Sequence, residues 1–243
     1  MIAVALLLLL GITTQLQAVE NMDHRSSPVV APTDDATDLA RLEVLANLGD
    51  TTAQYQLGHR YLSGNGVDKN ARRAAHWFGK AARAGDVSSQ RILATLFYSG
   101  TGVPKAPAHA LKWFRKAAEG GDVLAQTALA DMYYRGTGMR RPDLKQAWRW
   151  MMIAARNGDP VAQYRVGLML RDGRGTRRDL SRAFIWLHVA ALNTGQLPLR
   201  EKIEAERDAL GERMSERQLA LARERGEQLA EKYGKGSEHA PNA

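Results

Sequence analysis

The residue types that do chemistry are scattered through this chain, and their spacing points to recognition and away from catalysis. The six histidines are His24, His59, His76, His109, His188 and His239. A histidine metal site on helices needs ligands at a spacing such as i and i+4, or at one repeated position, and none of the six stands so. Cysteine is absent, which excludes disulfides, a thiolate nucleophile and any thiolate-bound metal. There is no Gly-x-Ser-x-Gly elbow, no Walker-type phosphate loop and no strand-borne dinucleotide fingerprint. The expectation is a non-enzymatic protein with no catalytic residues, no metal and no cofactor. What does recur is a set of aromatic and charged residues: Tyr55, His59 and Leu62, then Arg91, Thr95 and Tyr98, then Thr127, Asp131 and Tyr134, then Tyr164, Leu168 and Arg171. Tyr and Arg are the side chains enriched where proteins hold other proteins. A single carboxylate, Asp131, stands among the twelve, too few for a paired acid and base.

Those positions take their meaning from the elements that carry them. Gly-x-Gly pairs fall at Gly64/Gly66, Gly100/Gly102, Gly136/Gly138 and Gly173/Gly175, spaced 36, 36 and 37 residues. Trp77, Trp113, Trp150 and Trp186 keep the same step, with one residue inserted in the loop of Arg140, Arg141 and Pro142. Ala-Ala pairs at Ala81, Ala117, Ala154 and Ala190 follow, and so does Gly-Asp at Gly49, Gly85, Gly121 and Gly158. A period of this length marks a stack of identical helical units. Within each unit, offsets 0, 4, 5 and 8 (Ala53, Leu57, Gly58 and Tyr61 in the first) form one small-and-large helical face. The Gly-x-Gly ends that first helix by allowing positive φ. A second helix carries Ala74, Trp77 and Ala81 at spacings of three and four; the tryptophans read as core wedges. Gly-Asp then stops the helix and supplies the next N-cap. Offsets 2, 6 and 9 lie opposite the packing face, and these are the twelve residues named above.

Helix, glycine turn, helix, with the Gly-x-Gly-Val of Gly64 to Val67 and Gly100 to Val103 and the closing Ala-Ala-x-x-Gly, resembles the Sel-1-like repeat family. That family is a branch of the tetratricopeptide-type solenoids, whose ordinary unit has 34 residues. The resemblance covers residues 39–198. It implies an all-α, right-handed α/α superhelical solenoid with a half-repeat at 39–49 and repeats at 50–85, 86–121, 122–158 and 159–195. Met139 and Thr176 replace the valine in the last two copies. In such solenoids the first helices line a concave groove. By resemblance, Tyr55, His59, Arg91, Thr95, Tyr98, Asp131, Tyr134, Tyr164 and Arg171 are the candidate partner-binding residues, for a protein or peptide held by an adaptor or scaffold. A periplasmic carbohydrate- or peptidoglycan-associated module, possibly hydrolytic, is the alternative.

The ends differ in composition. The apolar run Ile2 to Ile12 is too short to span a bilayer and reads as the core of a signal peptide over 1–18, although no Lys or Arg precedes it. This implies a periplasmic or secreted protein, or a cytoplasmic one if the run is no signal, and a mature chain without a membrane span. Residues 19–38 read as a flexible linker. Residues 199–233 read as a C-terminal helical cap, its second helix opened by a Ser215/Gln218 capping box. Residues 234–243 read as a disordered tail.

The net charge is +8. Between Arg135 and Arg182 stand twelve basic and four acidic residues, an excess equal to that of the whole chain. Arg140, Arg141, Arg174, Arg177 and Arg178 in the glycine loops could meet an anionic surface, or could simply be a solvated edge. Nucleic acid is not expected, since basic and stacking residues do not share one surface.

Overall fold

The structure, a computed structural model, describes residues 35–234. The expected signal peptide, most of the expected linker and all of the expected tail but Gly234 lie outside the described residues. Eleven helices and no strand occur among the described residues. The first, α1 (Asp35–Asn47), begins inside the stretch read as linker. Then come four helix pairs: α2 (Thr51–Ser63) with α3 (Ala71–Arg83), α4 (Val87–Ser99) with α5 (Pro107–Glu119), α6 (Val123–Arg135) with α7 (Leu144–Arg156), and α8 (Pro160–Asp172) with α9 (Leu180–Asn193). Helices α10 (Leu197–Gly211) and α11 (Glu216–Tyr233) close the stack. None of the described helices is long and apolar enough to cross a membrane.

Each first helix is bounded by chemistry written in its own residues. Asp50, Asp86, Asp122 and Asp159 accept from the backbone N–H of Ala53, Ser89, Ala125 and Val161 at 2.6–2.8 Å. Such an N-cap contributes about 1 kcal/mol. Gly64, Gly100, Gly136 and Gly173 cap the other end in the left-handed region. The second glycine of the last three pairs has a different task. Gly138 has φ +80° and presses on the previous unit: a β-carbon there would lie 2.6 Å from the carbonyl oxygen of Pro107, at the start of α5. Gly102 and Gly175 stand in the same way against the carbonyls of Ala71 and Leu144. The glycine loop is thus a contact between repeats as well as a turn within one.

In the first three repeats the residue after the tryptophan goes deeper than the tryptophan itself, whereas in the fourth Trp186, at 4% exposure, is buried beside Leu187 as the spacing predicts. Phe78 and Leu187 are fully buried, as is Met151 at 1% exposure, and Phe114 is nearly so at 6%. Trp77, Trp113 and Trp150 stay half-buried; a Lys80 ammonium lies 4.5 Å from the Trp77 ring centroid and Lys116 4.9 Å from that of Trp113. One residue is a 100° rotation on a helix, and that rotation leaves these three tryptophans at the edge of the seam. Gly58 and Gly167 exist to admit the wedge. A β-carbon on either would fall 2.7 Å from the Phe78 ring or the Leu187 side chain.

A third repeated residue, unread in the sequence, ties unit to unit. Gln54, Gln90, Gln126 and Gln163 are buried, and their Nε2 groups donate to the carbonyls of Ala46, Ala82, Ala118 and Ala155 at 3.0–3.2 Å. Those carbonyls end the preceding helices, where acceptors lack an intrahelical partner. The core itself falls into two clusters. One gathers Leu57, Tyr61, Ala74 and Phe78 around the first pair, and the other runs from Ala94 through the remaining pairs to Ala222.

The C-terminal helices extend the stack and then fold back. Helix α10 begins one repeat length after α8, with Pro198 in its first turn and Ile203 fully buried. Ser215 and Gln218 make both halves of the capping box at the head of α11. Helix α11 returns along α9, where Tyr233 stacks on Trp186 at 6.0 Å and its carbonyl accepts from Gln163 Nε2 at 3.1 Å. His188 is trapped in this seam. Its ring stacks on Phe184, lies against Gly226, and has both nitrogens shielded without a hydrogen-bond partner.

Burial pulls the His188 pKa below its ordinary 6.5, with Arg207 and Arg223 adding to the effect and Glu227 and Asp208 opposing it. The folded state therefore prefers the neutral ring, so its contribution is complete above about pH 6.5 and is lost as pH falls below that value. Hydrogen-exchange protection of α11 is expected to drop on acidification more than that of α4, and His188→Leu should flatten the profile. An equal drop in both helices would show that His188 does not govern the seam.

Candidate partner-binding face

Helices α2, α4, α6 and α8 stand side by side, and the structure divides the twelve expected face residues by offset. The offset-2 residues look toward the next repeat. Arg91 Nε donates to Asp122 Oδ2 at 2.8 Å, and Thr127 Oγ donates to Asp159 Oδ2 at 2.5 Å, so each binds the free oxygen of the aspartate that caps the following first helix. Arg91, expected to read a partner, ties one unit to the next. Tyr55, also at offset 2, joins His59 in an aromatic group over Phe78, with ring centroids 4.5 Å apart for Tyr55–His59 and 5.2 Å for His59–Phe78.

The last unit departs furthest from expectation. Tyr164 is only 8% exposed, with the Lys202 ammonium of α10 5.7 Å from its ring centroid, and Arg171 is paired with Glu206 of α10. Arg171 also donates to both oxygens of Asp172, at 2.7 and 3.2 Å, which holds that carboxyl below the usual carboxylate range. Helix α10 covers these two residues because it lies where a fifth first helix would. What remains open to solvent is His59, Thr95 and Tyr98, with Tyr134 and Leu168 half-buried.

Between α6 and α8 this face opens into a cavity of about 340 Å³. Its apolar floor is Met151 of α7 with Leu168 and Met169 of α8, and its rim carries Asp131, Tyr134, Arg135, Arg165, Asp172 and Arg174. Asp131, expected to face a partner, is held by Arg165 and by Arg135, the latter at 2.9 Å. Arg174 reaches back from the next glycine loop, donates to the Tyr134 hydroxyl and lies 5.5 Å from that ring's centroid. By sequence Arg174 belongs to the basic loops alone. Its step from Tyr134, 40 residues away, becomes short because the glycine loop of one repeat overlies the helix of the one before.

Among the described residues, no group of three His, Asp or Glu is placed to hold a metal ion. Arg140, Arg141, Arg177 and Arg178 are exposed in the loops 136–143 and 173–179.

Stacked helix pairs with an open, varied first-helix face define a helical-repeat scaffold. The chain belongs to the Sel1 repeat family, whose model matches residues 51–86, 87–122, 123–159 and 160–194. Proteins of this family generally mediate protein–protein interaction. Among solved structures, a Sel1 repeat protein from Oxalobacter formigenes is similar at 32% identity and a TM-score of 0.60, with 63% of each chain covered. The protein c5321, a protective antigen of uropathogenic Escherichia coli with an SLR fold, is similar at 28% identity and a TM-score of 0.70, over 88% of this chain and 46% of that one. This chain thus spans less than two thirds of the length of either. Among curated proteins no sequence matches it.

Proposed function

We propose that this protein is a non-catalytic adaptor that holds a partner protein or peptide along its first-helix face. The observation that carries the reading is a contrast between repeats. The capping, wedge and glycine positions are alike in all four units, whereas the open face changes from Thr95 and Tyr98 to Tyr134 and Leu168 and opens into the cavity between α6 and α8. A surface that varies on a constant frame suits recognition of a particular partner. The apolar run Ile2 to Ile12 supports a place of action in the cell envelope, which fractionation of cells expressing the full chain will test.

The adaptor reading is tested with Tyr98→Ala/Tyr134→Ala in a pull-down followed by mass spectrometry. A discrete partner retained by the native chain and lost by the double variant, at unchanged helicity, is the expected result. Equal recovery by both proteins removes this face from the function. A second reading, attachment to an anionic surface, is favoured by the exposed loop arginines Arg140, Arg141, Arg174, Arg177 and Arg178. Such binding would fade steeply between low and moderate salt, because exposed charges are screened beyond roughly 10 Å.

A further inference from the structure

The cavity between α6 and α8 has a definite chemical character. At about 340 Å³ it sits at the small end of the roughly 300–1,000 Å³ range of ligand cavities, a size that suits one large side chain better than a cofactor. Its floor of Met151, Leu168 and Met169 is apolar and adaptable. Its rim is charged, but the charges are not equally engaged. Asp131 is taken by Arg135 and Arg165, and Asp172 by Arg171. Arg174, exposed beside the Tyr134 ring, feels the Asp172 carboxylate but makes no ion pair within 4 Å among the described residues. A guanidinium tied by one N–H to the Tyr134 hydroxyl beside that ring keeps its other N–H groups for a second acceptor, and a planar guanidinium suits a carboxylate. One unit further along the same face the chain shows the match itself: Glu206 on α10 is bound by Arg171.

We propose that this cavity anchors one large apolar side chain of a partner peptide, and that Arg174 pairs with an acidic residue of that peptide close to the anchor. The proposal rests on the adaptor reading and adds the chemistry of the partner: an acidic peptide segment with an apolar anchor. The basic excess of the window from Arg135 to Arg182 draws such a segment in before it docks.

The test is selection of a random-peptide display library on the full chain, followed by anisotropy titration of the best selected peptide. Selected sequences are expected to place Asp or Glu near Phe, Leu, Trp or Met. Arg174→Glu should weaken binding about tenfold or more, and Leu168→Arg should abolish it with helicity intact. Replacing the peptide's acidic residue by Lys should weaken binding to the native chain and restore it to Arg174→Glu. Selection of no peptide, selection without acidic enrichment, or affinity indifferent to both Arg174 and Leu168 overturns the proposal. The adaptor reading fails separately. Selected peptides that lose binding in Tyr98→Ala/Tyr134→Ala but show no acidic preference sink the inference alone. Partner recovery indifferent to that double variant sinks the reading beneath it.

Discussion

Phe78→Ala is expected to cost about 3–5 kcal/mol, the range for emptying a fully buried aromatic site, and to melt the first repeat while the rest of the stack stays folded. Phe78 is 0% exposed and sits at the centre of the smaller of the two core clusters, with Leu57, Tyr61 and Ala74 around it. Stability of roughly 0.05–0.15 kcal/mol per residue gives a unit of this length about 2–5 kcal/mol of its own, so the loss is as large as what the unit holds. In a solenoid each unit leans only on its neighbours. Damage at one end therefore need not reach the other. Hydrogen exchange read by mass spectrometry should show α2 and α3 unprotected while α7, α8 and α9 keep native protection. A uniform loss over all helices would show instead that the two clusters unfold as one.

Gly138→Ala is the second large effect, at about 3 kcal/mol, and it is separable into two causes by a control. A β-carbon at φ +80° costs roughly 1–2 kcal/mol of backbone strain in itself. At Gly138 it would also meet the backbone of Pro107 and Ala108 at 2.6–3.0 Å, which can give way only by shifting the start of α5. Forced overpacking of that kind adds roughly 1–3 kcal/mol. Gly121 has φ +90° and nothing within 4 Å of the added atom. Gly121→Ala should therefore show the strain alone. Urea unfolding followed by circular dichroism is expected to rank Gly138→Ala well above Gly121→Ala in loss of stability. Equal losses would mean that the glycine loop serves only its own turn and does not lock repeat to repeat.

The fold was legible where its causes are local. Positive φ at Gly64, Gly100, Gly136 and Gly173 and the Asp caps that start the next helices depend on a few neighbouring residues, so their signals stand in any one copy and are strengthened by the other three. The buried Gln54, Gln90, Gln126 and Gln163 were legible too, since they keep the same period. They went unread because glutamine is ordinarily a surface residue. Trp77, Trp113 and Trp150 misled for the opposite reason, whereas Trp186 is buried as read. Trp is a fair guess for a core position, yet the register of two packed helices, set in the first unit by Gly58 against Phe78, places the next residue deeper.

The binding face was legible only as a list of positions. Helical arithmetic finds which side of a helix opposes its packing side, and it selected Tyr98 and Tyr134, which are exposed or half-buried on that face. It could not find that Arg91 and Thr127 reach Asp122 and Asp159, because those distances depend on how far each repeat is rotated from the last. Nor could it find that α10 would cover Tyr164 and engage Arg171.

By itself, then, the sequence determined the unit, its period, the helices and their ends, because capping, glycine dihedrals and helical periodicity act over a few residues of chain. The tertiary structure alone decided which face residues remain open, where the cavity between α6 and α8 lies, and that Arg174 meets Tyr134 across its rim. Those features are made by side chains one repeat apart. Their meeting depends on the small rotation between units, which is a property of the packed stack and of no single segment.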